Sequence, residues 1–286
     1  MADAIIGGRQ FGYDRDCFAH PWSTPETVLL HHGYARNRGF WYEWIPALAD
    51  HYDCVRMDMR GHGASSPLGA DEAPTLESLA ADTVALMDHL QIDKAHFVGE
   101  SLAGVVGIWL GAHYADRFHS VVLLSTPVKV SDQGRADFSA GAPSWEQAFD
   151  TLSATEWARQ TMHHRYDPNT TDPRYVDWVI EQAGNTPINS LRQYARLIEA
   201  LDLTGGIPTV RVPSLLVVGG SKLAPPEQAS FLASHIENAT TEFIPSARHL
   251  VSYSHPHEVV GLARAFWKRI DLERIDRPSV DGVIST

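Results

Sequence analysis

Ser101 stands at the centre of Gly99-Glu100-Ser101-Leu102-Ala103, where an apolar run, Ala95-His96-Phe97-Val98, meets a small-residue segment beginning Leu102-Ala103-Gly104-Val105-Val106. A serine at such a strand-to-helix junction is a candidate nucleophile. The turn is sharp and strained, only small residues fit beside it, and the hydroxyl projects where a substrate carbonyl can reach it. Gly99 and Ala103 are the small neighbours here; alanine holds the fifth position, where glycine is more usual, and Gly104 follows at once. Acyl transfer at Ser101 would also need a base within hydrogen-bond reach and fixed donors for the charge that develops on the carbonyl oxygen. Short glycine-serine strings also occur in ordinary turns, so the order of the remaining elements has to decide between the two readings.

That order is regular. Thr27-Val28-Leu29-Leu30-His31 reads as a buried strand and runs into His32-Gly33-Tyr34. Residues 53–58 read as a second strand ending in Met59-Arg60-Gly61-His62-Gly63-Ala64-Ser65. Residues 120–124, 214–218 and 240–244 are further short apolar runs, and the last leads into Arg248-His249. Short apolar runs alternating with helical stretches predict an α/β protein with a parallel sheet.

With the His32-Gly33 turn, the stretch from Asp58 to Ser65, the elbow at Ser101 and a late histidine at His249 in this order, the chain resembles the α/β-hydrolases from about residue 27 to residue 267. The resemblance implies an α/β-hydrolase fold: a mostly parallel central sheet flanked by helices, with a helical cap inserted after the sixth strand. The strand pattern stops between about 127 and 213, where Trp145, Trp157, Tyr166, Tyr175, Trp178 and Tyr194 concentrate. The organisation expected is a core in two parts, 1–127 and 213–270, a cap over 128–212 and a C-terminal tail over 271–286. About half of the cap aromatics are expected to face the cleft, since a small apolar pocket needs such walls.

Residue by residue, the resemblance makes Ser101 the nucleophile and His249, in the loop Pro245-Ser246-Ala247-Arg248-His249-Leu250, its base. The oxyanion donors it implies are the backbone amides of Tyr34 and Leu102, and it gives His62 a part in loop geometry only. The third triad member departs from the pattern. The family's usual position follows residues 214–218, but the turn there, Gly219-Gly220-Ser221-Lys222-Leu223-Ala224-Pro225-Pro226, holds no carboxylate. Certain lactonases carry the acid after the preceding strand instead, and Ser125 occupies that place here. Two arrangements stay open, Ser125 as a neutral acceptor for the imidazole N–H, which is favoured, and Asp132 as a carboxylate arriving from nearby. A neutral acceptor stabilises the imidazolium less, which predicts a slower or more specialised enzyme. Gly33, Glu100, Trp178 and Leu250 join Tyr34 and Leu102 as expected pocket walls. Arg36 and Arg38 are read as a solvated loop rather than an anion site, because arginine is mostly exposed.

Composition sets the outer limits. A chain of 286 residues with 44% hydrophobic content can fill one large α/β core with an insertion. A net charge of −12 argues against nucleic acid or anionic membranes as partners, both of which need a positive field. Cys17 and Cys54 make no disulfide framework, and the fifteen histidines follow no metal-ligand spacing. No metal or organic cofactor is expected. The amino-terminal residues lack a basic secretory start and no apolar stretch is long enough to span a bilayer, which predicts a cytoplasmic protein with a small-molecule substrate. The oligomeric state is left open, a homodimer being one option.

The function expected is a serine hydrolase that cleaves an ester or lactone of a small, largely apolar, aromatic molecule through an acyl-enzyme. Haloalkane dehalogenases and epoxide hydrolases on this scaffold use an aspartate at the elbow, so serine speaks against them. The alternatives are a ligand-binding or receptor-like protein on the same fold, favoured by the missing acid, and a carbon–carbon bond hydrolase.

Overall fold

The computed structural model describes residues 2–276 apart from Ala70 and Pro168. Among the described residues eight strands form one sheet: β1 (Ala2–Ile6), β2 (Arg9–Asp16), β3 (Thr27–His31), β4 (Asp53–Met57), β5 (Ala95–Glu100), β6 (Phe118–Leu124), β7 (Ser214–Gly219) and β8 (Ala239–Ile244). Their spatial order is β1-β2-β4-β3-β5-β6-β7-β8. From β4 onward every pairing is parallel, while β1 and β2 join as an antiparallel hairpin that pairs with β4. The predicted strands are all present. The hairpin was not predicted: it forms no sustained apolar run, β2 carrying Arg9, Gln10, Asp14, Arg15 and Asp16, and its signal is Gly7-Gly8, both at positive φ, in the two-residue turn that such hairpins favour.

Why the inner strands read as unbroken apolar runs is visible in their burial. β3, β5 and β7 are buried at every position, as strands covered on both faces must be. Alternate residues supply the two faces. Leu29, Val55, Phe97, Leu123 and Leu216 point to one side. Val28, Leu30, Val98, Val122, Leu215 and Val217 point to the other. The first face is covered by α2 (Leu76–His89) and α3 (Leu102–His113), the second by the single turn α1 (Ile45–Leu48) and the long α11 (Pro256–Asp276) with its buried Trp267. Two shorter helices, α9 (Pro226–His235) and α10 (Val251–Ser254), flank β8.

Among the described residues five α-helices lie between β6 and β7: α4 (Asp132–Ser139), α5 (Trp145–Ala148), α6 (Ala154–Thr161), α7 (Pro173–Gly184) and α8 (Ile188–Ala200), with a short 3-10 turn at Met162–His164. Side-chain oxygens of Ser131, Ser144, Ser153 and Asp172 accept the orphan amides that open four of them. Tyr194 Oη donates to the Arg60 carbonyl at 2.9 Å and Tyr34 Oη to the Leu191 carbonyl at 3.0 Å, which stitches this layer to the turns at the sheet's carboxyl ends.

The predicted tail boundary at 271 does not hold, since α11 continues unbroken to Asp276. Arg274 explains part of the extension, bonding Glu26 at 2.9 Å and Asp271 one turn back at 3.2 Å. Residues 277–286 of the expected tail lie outside the described residues. Among the described residues no helix is long and apolar enough to cross a membrane, and no cluster of metal-ligating side chains is present.

Candidate active site

β5 ends at Glu100 and α3 begins at Leu102, so Ser101 alone makes the turn, at φ 59° and ψ −120°. A non-glycine residue in that region is strained by about 1–3 kcal/mol, and strain of this kind concentrates at functional sites. Ser101 N–H donates to the Leu124 carbonyl at 2.8 Å, which pins the turn to the end of β6. His249, 2% exposed, follows β8 and sets its Nε2 3.0 Å from Ser101 Oγ.

The partner of His249 Nδ1 is Ser221 Oγ, at 2.9 Å. Neither predicted third member reaches the imidazole. Ser125 sits at the end of β6 at φ 43°, its Oγ buried without a hydrogen-bond partner. Asp132 opens α4 and borders a surface groove with Thr204 and Phe231. The turn after β7 wins through close approach. A Cβ on Gly219 would fall 2.3 Å from the Arg248 carbonyl oxygen, and Gly220 N–H donates to the Ala247 carbonyl at 2.8 Å. This contact lays Ser221 beside the histidine loop, at the family's usual acid position.

Ser221 does not substitute for a carboxylate in its hydrogen bonding. Its Oγ accepts from Leu223 N–H at 3.1 Å and Ala224 N–H at 3.0 Å, which occupies both lone pairs. The hydroxyl proton is then left for Nδ1. That count assigns His249 the tautomer with its proton on Nε2, facing Ser101. A base for Ser101 needs the opposite tautomer. Burial, with Arg165 and Arg36 adding positive potential, also pushes the His249 pKa well below 6.5.

Glu100, expected on the pocket wall, is fully buried behind it. Its carboxylate pairs with Arg36 and accepts Ser252 N–H at 3.0 Å and Ser252 Oγ–H at 2.7 Å. Residues next to Ser101, after the His32-Gly33 turn and after the histidine loop are thereby joined in one buried cluster. Arg36 and Arg38 are accordingly not solvated: Arg38 pairs with Asp58 and Asp14. A charge with a buried partner escapes the surface rule for arginine. Two histidines brace the same turn in neutral form. His32 accepts Met59 N–H at Nε2 and donates from Nδ1 to the Gly33 carbonyl, while His62 accepts Ala35 N–H and donates to the Arg60 carbonyl.

Ser101 opens onto a narrow pocket whose free volume, about 10 Å³, holds about one water and lies far below the roughly 300–1,000 Å³ usual for ligand sites, so a substrate has to part its walls. Tyr34 and Leu102 line it as predicted, with Pro127, Val130, Ile198, Leu201 and Leu223. Of the cap aromatics only Trp145 borders the cavity. Gly33, Trp178 and Leu250 do not: Gly33 lies under the elbow, Leu250 N–H donates to the Arg165 carbonyl, and Trp178 packs on Phe40 and Tyr42. Arg165 completes the wall, and nothing in its sequence context marked it. It is 3% exposed, and burial, then the nearby Arg36, lowers its pKa to about 9. Wider surface depressions occur elsewhere, but neither Ser101 nor another elbow residue lines them.

A strained strand-to-helix serine bonded to a buried histidine, at the carboxyl edge of an eight-stranded sheet and under a helical layer, defines a class before any comparison is made. A model of the alpha/beta hydrolase fold matches residues 26–256. The chain belongs to the α/β-hydrolase fold family. The 3-oxoadipate enol-lactonase 2 of Acinetobacter baylyi is 27% identical over 255 residues, covering 86% of this chain and 90% of that protein. A putative carbamate hydrolase of Pseudomonas syringae is 24% identical over 252 residues, with 84% and 93% covered. The solved enol-lactonase of Burkholderia xenovorans LB400 shares the fold with a TM-score of 0.82 at 23% identity, over 93% of this chain and all of that one.

Proposed function

We propose that this chain is a serine hydrolase that opens an ester or lactone bond in a small molecule by way of an acyl-enzyme on Ser101. The observation that carries the reading is the 3.0 Å contact between Ser101 Oγ and His249 Nε2 at a strained elbow facing a narrow pocket. In this reading Ser101 attacks the acyl carbon while His249 takes the hydroxyl proton and returns it to the leaving oxygen. Water, deprotonated by the same histidine, then releases the acid. The amides of Leu102, first in α3, and of Tyr34 hold the oxyanion, each worth on the order of 2.7–4 kcal/mol of transition-state stabilisation. Apolar walls favour a compact carbon skeleton, and the similar enol-lactonases make a lactone as apt a substrate as an open ester.

For catalysis His249 must move its proton to Nδ1, and Ser221 must then accept a third hydrogen bond or release a backbone amide. That step costs rate. It also favours a second reading, a binding protein that retains the site with slow turnover. Hydrolysis of a panel of short esters and small lactones by the wild type, set beside Ser101→Ala, separates the two. Turnover that disappears in the variant supports the serine hydrolase. Tight binding of a panel compound without turnover by either protein supports the binder.

A further inference from the structure

Arg165 is the one cavity-wall residue whose charge the fold does not balance. Its guanidinium makes one hydrogen bond to the described residues, from Nη1 to the Tyr34 carbonyl at 3.1 Å, and Nε–H is buried with no acceptor. No described carboxylate forms an ion pair with it. The carboxylate that contributes to its surroundings, Glu100, is already bound to Arg36 and Ser252. The groups that do surround Arg165 are aromatic: its Cζ lies 4.8 Å from the Phe138 ring centroid, 5.8 Å from Tyr34 and 5.9 Å from Trp157. Aromatic faces offset part of a buried cation's lost hydration, and without a counter-charge the remainder is a standing cost.

An unpaired cation with an unpaired N–H donor beside Ser101 is a site with its anion missing. We propose that Arg165 receives a carboxylate carried by the substrate, so that the cavity takes an ester or lactone bearing a free acid group. The proposal rests on the hydrolase reading for its chemistry but not for its binding step. Planar guanidinium is the side chain best shaped to hold a carboxylate through two parallel N–H bonds, and the free Nε–H is on the edge that does so. An acid group bound there would fix which end of a substrate faces Ser101.

The test uses two methyl esters of matched length, monomethyl succinate and methyl 4-methylpentanoate, whose isopropyl end replaces the carboxylate. The wild type is expected to show a higher kcat/KM for the charged ester. The ratio of the two kcat/KM values should fall by on the order of 100-fold in Arg165→Met, as expected when one partner of a buried charge pair is removed. Arg165→Lys, which keeps the charge but not the planar edge, should fall between. A ratio that Arg165→Met leaves unchanged overturns the proposal and reduces Arg165 to a brace for the Tyr34 carbonyl. Binding provides the independent arm: by calorimetry, monomethyl succinate should bind Ser101→Ala and not the Ser101→Ala, Arg165→Met double variant. If neither wild-type hydrolysis rate is measurable, the hydrolase reading fails while the calorimetry still decides for or against the carboxylate. Absence of binding to both proteins overturns it.

Discussion

At the scale of single residues, the contact between Ser221 and His249 is the point most open to experiment. Because the Ser221 hydroxyl has its lone pairs occupied, it presents a proton to His249 where a carboxylate would present a charge and an acceptor. A wrong tautomer at a catalytic histidine costs up to about 10⁴-fold in rate. Ser221→Asp should therefore raise kcat/KM by roughly 10- to 1,000-fold. In ¹⁵N NMR the His249 Nδ1 resonance should move from the unprotonated to the protonated range in that variant, which a merely structural change would not produce. Since burial depresses the His249 pKa, the imidazole stays neutral on acidification, and the acid limb of the kcat/KM profile is expected below pH 6.5. A limb at or above 6.5 would contradict the buried setting. Ser101 and His249 were legible because local sequence defines them, an elbow in one case and a loop after the last strand in the other. Ser221 and Arg165 were not. A serine after two glycines reads as turn chemistry, and an arginine in an irregular stretch reads as surface; only tertiary approach gives either its partner or its lack of one.

Among elements, the sheet was legible strand by strand wherever both faces are covered, as in β3, β5 and β7. The edge hairpin and the last turns of α11 escaped because their residues are half-exposed and polar. What no element discloses by itself is how the loops are held together. The Glu100 carboxylate ties the β5 end to the turn carrying Arg36 and to α10 through Ser252, so three segments around Ser101 share one buried charge pair. Glu100→Gln would leave Arg36 buried without a counter-charge, at a cost of about 3–5 kcal/mol. A lower urea midpoint together with a lower kcat is the expected result. A midpoint within experimental error of the wild type would show that the pair contributes nothing net.

For the molecule as a whole, the buried histidines dictate an acid-sensitive stability. Burial lowers the folded-state pKa of His31 and His62 to about 4, below the ordinary value of 6.5, and puts His32 well below its ordinary value too. The unfolded chain then binds more protons between about pH 4 and 6.5. Stability from these groups is complete above about 6.5 and is lost as pH falls toward 4, on the order of 2 kcal/mol at pH 5 for each of the first two. A Tm lower by about 5 °C or more at pH 5 than at pH 7 is expected from scanning calorimetry. A flat Tm over that interval would count against neutral histidines in the core. His32 and His62 also receive backbone N–H bonds on Nε2, so a proton added there would set two donors against each other within the oxyanion turn.

The tightness of the pocket has a consequence for timing. Its walls come from the sheet's carboxyl-end turns and from the helices above them, and Ser101 is 9% exposed. A chamber with room for about one water takes up and releases a substrate only while its roof is lifted, so traffic rather than bond cleavage can become the clock. Once the chemical step is quickened by an aspartate at 221, the faster enzyme should begin to feel the viscosity of its solvent.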